Sequence, residues 1–198
     1  LYMKSKEWLN RQKNDHYVIK AKQKGYFSRS AFKLLEIDEK YKIISKSNNT
    51  FEFGASPGGW SQILLEINPN IKITAIDLLQ LKFTHKNIHF FKEDFLNFDF
   101  NTIVHKYDLV LSDIAPNTTG HKSTDHLRIS YLVLNIINLL DKILLKNGSF
   151  VTKIWKGSEE KEILKLLNKK FKNVQYFKPS SSRKDSSEIF LVAQYFNK

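Results

Sequence analysis

Glu52, Asp77, Asp94 and Asp113 each stand where a short apolar run gives out, and Lys153 stands inside one. Carboxylates at the carboxyl ends of successive strands make a rim that can hold hydroxyls, amines or a cationic group. Asp77 lies 25 residues beyond Glu52, close to the usual place for a carboxylate on ribose hydroxyls. Asp94 is suited to accept from an adenine amine. Asp113, before a proline-containing loop, is suited to face the reacting end of a ligand. A lone Asp after a strand is more often a turn residue, but four in register favour a ligand rim. A lysine in an apolar strand is poorly placed to be solvated, which favours a chemical role for Lys153.

Three glycines and a proline within residues 54–59 forbid both helix and strand there, and an apolar pattern at helical spacing follows from 60 to 67. A strand, a glycine turn and a helix start together present backbone N–H groups and the helix's positive end at one mouth, which suits a nucleotide-like ligand. Trp60 occupies the place where a phosphate-binding loop needs Lys, which disfavours ATP and GTP. The G-x-G-x-x-G spacing of dinucleotide sites is absent, and Glu52 would repel a pyrophosphate. A ligand with a cationic end fits better, and S-adenosylmethionine carries a sulfonium and an α-ammonium. Taken alone, the stretch serves equally well as a plain strand-to-helix turn.

These residues need a scaffold. Capped by Ser28 or Ser30, a helix is predicted to run to about residue 41. Strands are predicted over 50–53, 71–76, 88–91, 107–111, 149–154, 174–177 and 188–194. Further helices are predicted over 124–145, closed by Asn147-Gly148, and over 159–168. Alternating strands and helices give an α/β fold with a doubly wound, mostly parallel sheet. The loop before the last strand is too short for a crossover helix, so that strand is expected to be antiparallel.

The 198 residues suit one domain, and no apolar run approaches the ~20 residues of a membrane span. Zero Cys excludes disulfides and thiolate zinc, and the six His show no ligand spacing, so no metal is expected. The net charge of +12 points to a polyanionic partner. Residues 1–33 hold nine Lys or Arg against Glu7 and Asp15, with Trp8, Tyr17, Tyr26 and Phe27 interleaved. That mixture suits a surface that meets phosphates and stacks bases. The segment Lys178-Pro-Ser-Ser-Ser-Arg-Lys184 offers three further cations and hydroxyls, although a plain surface loop explains it equally well.

Gly54-Ala-Ser-Pro-Gly-Gly-Trp-Ser-Gln62, Leu111-Ser-Asp-Ile-Ala-Pro-Asn117 and Val151-Thr-Lys-Ile-Trp-Lys-Gly157 closely resemble the FtsJ/RrmJ ribosomal RNA 2′-O-methyltransferases. So do Gly25-Tyr-Phe-Ser-Arg-Ser-Ala-Phe-Lys-Leu34, Ser186-Ser-Glu-Ile-Phe-Leu-Val-Ala193 and the leader's Trp8-Leu9 and Asp15-His-Tyr-Val18. The motifs are collinear over essentially the whole chain. Glu52 stands where the family usually has Asp, and Ser56 where it has Ala.

The resemblance implies a Rossmann-like S-adenosylmethionine-dependent methyltransferase with a catalytic set of Lys33, Asp113, Lys153 and Glu188. It implies Gly58, Trp60, Asp77, Asp94 and Asp113 for the cofactor, joined by Gly54 and Gly59 of the same turn. Residues 1–27 then form a basic RNA-binding leader and 28–198 the catalytic domain. Methylating a ribose 2′-hydroxyl requires a base, and a Lys can serve only when neutral. Lys153 is taken as that base, with Lys33, Asp113 and Glu188 positioning or tuning it. Without the resemblance, Lys33 reads as a surface charge on a helix and Glu188 as the start of an edge strand. The expected partner is large-subunit ribosomal RNA or the large subunit itself, met by a monomer inside the cell, in the cytoplasm or an organelle such as the mitochondrion. Rival readings are a transfer-RNA or messenger-cap 2′-O-methyltransferase and a non-catalytic ribosome-assembly factor.

Overall fold

A computed structural model describes residues 15–115, 121–157, 159–183 and 185–197. The opening part of the basic leader lies outside them, as do most of the loop after Asp113 and Lys184. Among the described residues, seven strands form one sheet: β1 (Asn49–Phe53), β2 (Lys72–Asp77), β3 (Ile88–Lys92), β4 (Tyr107–Ser112), β5 (Leu144–Trp155), β6 (Phe171–Phe177) and β7 (Glu188–Phe196). Their order is β3-β2-β1-β4-β5-β7-β6. β7 runs antiparallel to both its neighbours and the remaining pairs are parallel. Helices are α1 (His16–Gln23), α2 (Ala31–Tyr41), α3 (Gly59–Ile67), α4 (Lys122–Ile143) and α5 (Glu160–Lys170).

The near-continuous apolar strands follow from burial on both faces. On one face, Phe51, Phe53, Val110, Phe150 and Ile154 pack against Ile129, Val133, Ile136, Ile137 and Leu140 of α4. On the other, Ala75, Leu109, Leu111, Val151 and Phe190 pack against Ala31, Leu34 and Ile37 of α2 and Trp60, Ile63 and Leu64 of α3. Each fully buried Val, Leu, Ile or Phe among them contributes about 1.5–3 kcal/mol of burial free energy. No helix among the described residues is long and apolar enough to cross a membrane.

Two boundaries differ from the sequence reading, and one helix is absent from it. α4 does not run to Asn147-Gly148. It ends at Ile143, and Leu144 passes straight into β5 opposite Tyr107. Both Ile143 and Leu144 are fully buried, so the core fixes the change of direction before the glycine is reached. Asn147 does adopt a left-handed φ of 63°, but within β5, where the pairing slips before resuming at Ser149. β6 starts directly after α5, three residues early, because buried Phe171 joins the core and pairs with Phe196. Residues 16–23, read as leader, form α1. Asp15 caps it by accepting from the Tyr17 and Val18 amides at 3.0 and 3.3 Å.

Candidate active site

Strand alternation and register bring the charged residues together. Leu109 and Leu111 point toward α2, so Asp113, two residues on and just past β4, falls on the same side. Val151 does likewise in β5, which puts Lys153 there, and Phe190 in β7 does so for Glu188. Lys153 sits opposite Phe190, and Trp155 opposite Glu188. Because β7 is antiparallel, its first residue arrives at the edge where the parallel strands finish. Lys33 reaches this corner from α2, with its amine 5.8 Å from the centre of the Phe190 ring.

Two ion pairs result. The Lys153 amine donates to Asp113 Oδ1 and to the Asp113 carbonyl oxygen, both at 2.8 Å. Lys33 lies 2.7 Å from each oxygen of Glu188, whose Oε1 also accepts from the Ser182 hydroxyl at 2.8 Å. Burial works against charge on Asp113, but Lys153, then Lys33 and the Ser30 hydroxyl, outweigh it and hold the carboxyl below its ordinary range. Lys153 is only 6% exposed, so its amine is fixed rather than solvated.

Beside these pairs opens a cleft of about 520 Å³, within the usual span for small-molecule sites. Gly54, Asp77, Asp94 and Asp113 line it, with Phe95 and Ile76 as apolar floor. Asp77 accepts from the Ser56 amide at 2.9 Å and the Leu79 amide at 2.7 Å, and Asp94 from the Leu96 amide at 3.0 Å. Gly54 has φ +73°, and a Cβ there would lie 2.9 Å from the Ile114 backbone. Only glycine lets the β1 and β4 loops approach this closely.

Gly58, Gly59 and Trp60 lie outside the lining of this cleft, and the contacts seen at them are packing contacts. A Cβ on Gly58 would meet Phe83, and one on Gly59 would meet the Ser28 hydroxyl. The Trp60 ring is buried against Phe190 and donates its indole N–H to the Ser30 carbonyl at 2.8 Å. Glu52, expected to face a cationic ligand end, instead turns inward and accepts from Ser61 Oγ at 2.5 Å. Burial, aided by the charges of Asp113 and Asp77, pushes its carboxyl up to about 8 despite that bond.

Sequence reasoning missed the cleft's apolar rim. Leu78, Leu79 and Leu96 are 65%, 68% and 41% exposed, which is unusual for leucines and suits a flat ring laid over them. Their only sequence signal is that they follow the strand-end aspartates closely. It also missed a clamp on the other wall. Asp15, at the head of α1, pairs with Arg29 and, at 3.1 Å, with Arg183, while Arg29 donates to the Ser181 carbonyl. Burial works against charge on Asp15, but Arg29, Arg183 and the Val18 and Tyr17 amides together keep its carboxyl below its ordinary range. Lys178 donates to the Ser186 carbonyl at 2.8 Å and to the Glu188 carbonyl. Among the described residues no group of three or more His, Cys, Asp or Glu is placed to hold a metal ion.

The profile of the FtsJ-like methyltransferase family matches residues 26–196. Ribosomal RNA large subunit methyltransferase E of Rickettsia africae is 42% identical over 200 residues, covering 96% of this chain and 88% of its own. The protein of the same name from Rickettsia akari is 43% identical over 201 residues, with the same coverage. Among solved structures, a ribosomal RNA methyltransferase from Plasmodium falciparum superposes with a TM-score of 0.74 at 29% identity, covering 86% of this chain and 98% of its own. A fibrillarin pre-rRNA processing protein from Methanococcus jannaschii, at 18% identity and a TM-score of 0.57, shares the fold over 79% of this chain and 70% of its own.

Proposed function

The chain belongs to the FtsJ-like methyltransferase family, and we propose that it methylates a ribose 2′-hydroxyl in large-subunit ribosomal RNA, using S-adenosylmethionine. The cleft's residues fit that cofactor. Its carboxylates suit ribose hydroxyls and an adenine amine, the exposed leucines suit an adenine ring, and Asp113 joins the cleft to the Lys153 ion pair. In this reading Asp77 holds the ribose, Asp94 the adenine and Asp113 the charged end. Gly54, Gly58, Gly59 and Trp60 keep the turn in shape. When bound, S-adenosylmethionine supplies an electrophilic methyl on a positively charged sulfur.

Lys153 is the base. Its Nζ takes the proton that the 2′-hydroxyl gives up on attack, so it must present a neutral amine to the substrate. Asp113, bonded to that Nζ at 2.8 Å, aims the amine and steadies the ammonium that forms. Lys33 and Glu188 hold each other beside it and supply the neighbouring charge that tunes it. Holding the hydroxyl and the methyl in line contributes a large share of the rate by itself. The need for a 2′-hydroxyl also restricts the enzyme to RNA. The basic leader 1–27 and the cationic 178–184 segment approach the strand from the domain 28–198. A ribosomal substrate puts the protein inside the cell, in the cytoplasm or an organelle such as the mitochondrion.

The observation that carries this reading is the Lys153 amine, held in a buried strand against Asp113 at the mouth of a nucleoside-sized cleft. The test is to map 2′-O-methyl groups in ribosomal RNA with and without the protein. One large-subunit site is expected to depend on it and to vanish with Lys153→Ala. A Lys153→Ala enzyme near wild-type activity overturns the base assignment. Loss of marks from transfer RNA or caps alone overturns the ribosomal substrate.

A further inference from the structure

A second cavity, about 160 Å³, lies against the Lys33–Glu188 pair and is lined by Arg29, Lys33, Arg183, Ser186 and Glu188. It is below the usual range for nucleoside-sized ligands and of a scale for a single phosphate group. Three cations meet two carboxylates here. Lys33 holds Glu188, while Arg29 and Arg183 share Asp15, so one positive charge is left over.

Donors are left over as well. Arg29 gives one terminal nitrogen to Asp15 and the other to the Ser181 carbonyl, which leaves its buried Nε without a partner. Arg183 gives its Nε to Asp15 at 3.1 Å and lines the same cavity. A buried guanidinium donor without an acceptor is costly, and an anion in the cavity would satisfy it.

We propose that this cavity is a subsite for one backbone phosphate of the RNA strand, next to the ribose presented to Lys153. The inference rests on the activity proposed above and names where its substrate is gripped. A phosphodiester carries the single negative charge the cavity lacks. Arginine's planar fork suits its two free oxygens better than a lysine ammonium does. Asp15 is then a positioning residue. It holds two guanidinium groups side by side, and through the Ser181 carbonyl and Arg183 it fixes the loop whose Ser182 steadies Glu188.

The test measures binding of a transcribed large-subunit rRNA fragment across a series of salt concentrations. It compares wild type with Arg183→Gln and with Lys146→Gln, which removes an equal charge from an exposed position near the start of β5. Arg183→Gln is expected to lose about tenfold in affinity and about one unit of salt slope, whereas Lys146→Gln changes neither. Affinity for S-adenosylhomocysteine should be the same in all three. A salt slope for Arg183→Gln indistinguishable from that of Lys146→Gln overturns the subsite. Absence of methyl transfer by wild type, with the binding contrast intact, overturns the activity instead.

Discussion

On the cleft wall, Asp77 and Asp94 are held by backbone amides of the loops they begin and, for Asp77, of the glycine turn after β1, and the sheet register sets where those loops start. On the opposite wall, Arg29 and Arg183 are held by the Asp15 carboxylate, and the Ser180–Ser181 stretch by the Glu36 carboxylate and by Arg29, all from far earlier in the sequence than the loop they grip. The first wall depends on main-chain geometry that side-chain substitution scarcely moves. The second depends on side chains that converge only after folding. A small ligand of fixed shape suits the first kind of wall, and a long strand that must be admitted and released suits the second.

Removing the group where the walls meet should have the largest effect. Lys153→Met is expected to lower the transfer rate about 10²–10⁴-fold, with S-adenosylhomocysteine affinity in calorimetry changed by no more than a few-fold. A parallel loss of cofactor affinity would mean that the amine belongs to the cleft wall instead. Next comes Gly54→Ala, which forces a methyl to 2.9 Å from the Ile114 backbone at a left-handed φ. A loss of about 1–3 kcal/mol in chemical unfolding is expected, because main chain has to yield. Unchanged stability would show the cleft wall to be softer than its geometry implies.

Asp15→Asn should act on the other wall alone. Transfer is expected to fall about five- to tenfold with cofactor affinity constant, and Asp15→Glu should restore part of it. Equal losses in both readouts would break the division between the walls. The smallest effect is a pH slope in stability. Folding raises the Glu52 pKa from 4.5 to about 8, so on unfolding at intermediate pH the carboxyl releases its proton. Wild-type stability should therefore fall as pH rises between those values and level off above them, and Glu52→Gln should flatten the curve. Thermal melts of the two proteins across that range decide it.

The same contrast explains what could be read from the chain. Strand-end aspartates and the glycine turn follow from local patterns of period and turn chemistry, so their place at one edge was legible. Lys33 and Glu188 carry no such local sign. One resembles a solvated helix charge and the other the start of an edge strand, and only the motif resemblance singled them out. Trp60 shows a different limit: its place beside the turn says nothing of the packing of its ring, which lies against Phe190 and donates to the Ser30 carbonyl. The Asp15 clamp and the inward turn of Glu52 are set by tertiary packing, which no window of sequence contains. The end of α4 was misjudged because Asn147-Gly148 is a strong local stop, yet burial of Ile143 and Leu144 acts first.

The reversed direction of β7 has a practical consequence for handling the protein. The nine-residue strand leaves the ion-paired corner at Glu188 and finishes at Phe196, about 27 Å away along the sheet. An affinity handle, a fluorophore or a surface tether attached beyond Phe196 would hang from the far rim. It would stay clear of the Lys153–Asp113 corner, whereas a label carried at Asp15 itself would sit beside Arg29 and Arg183.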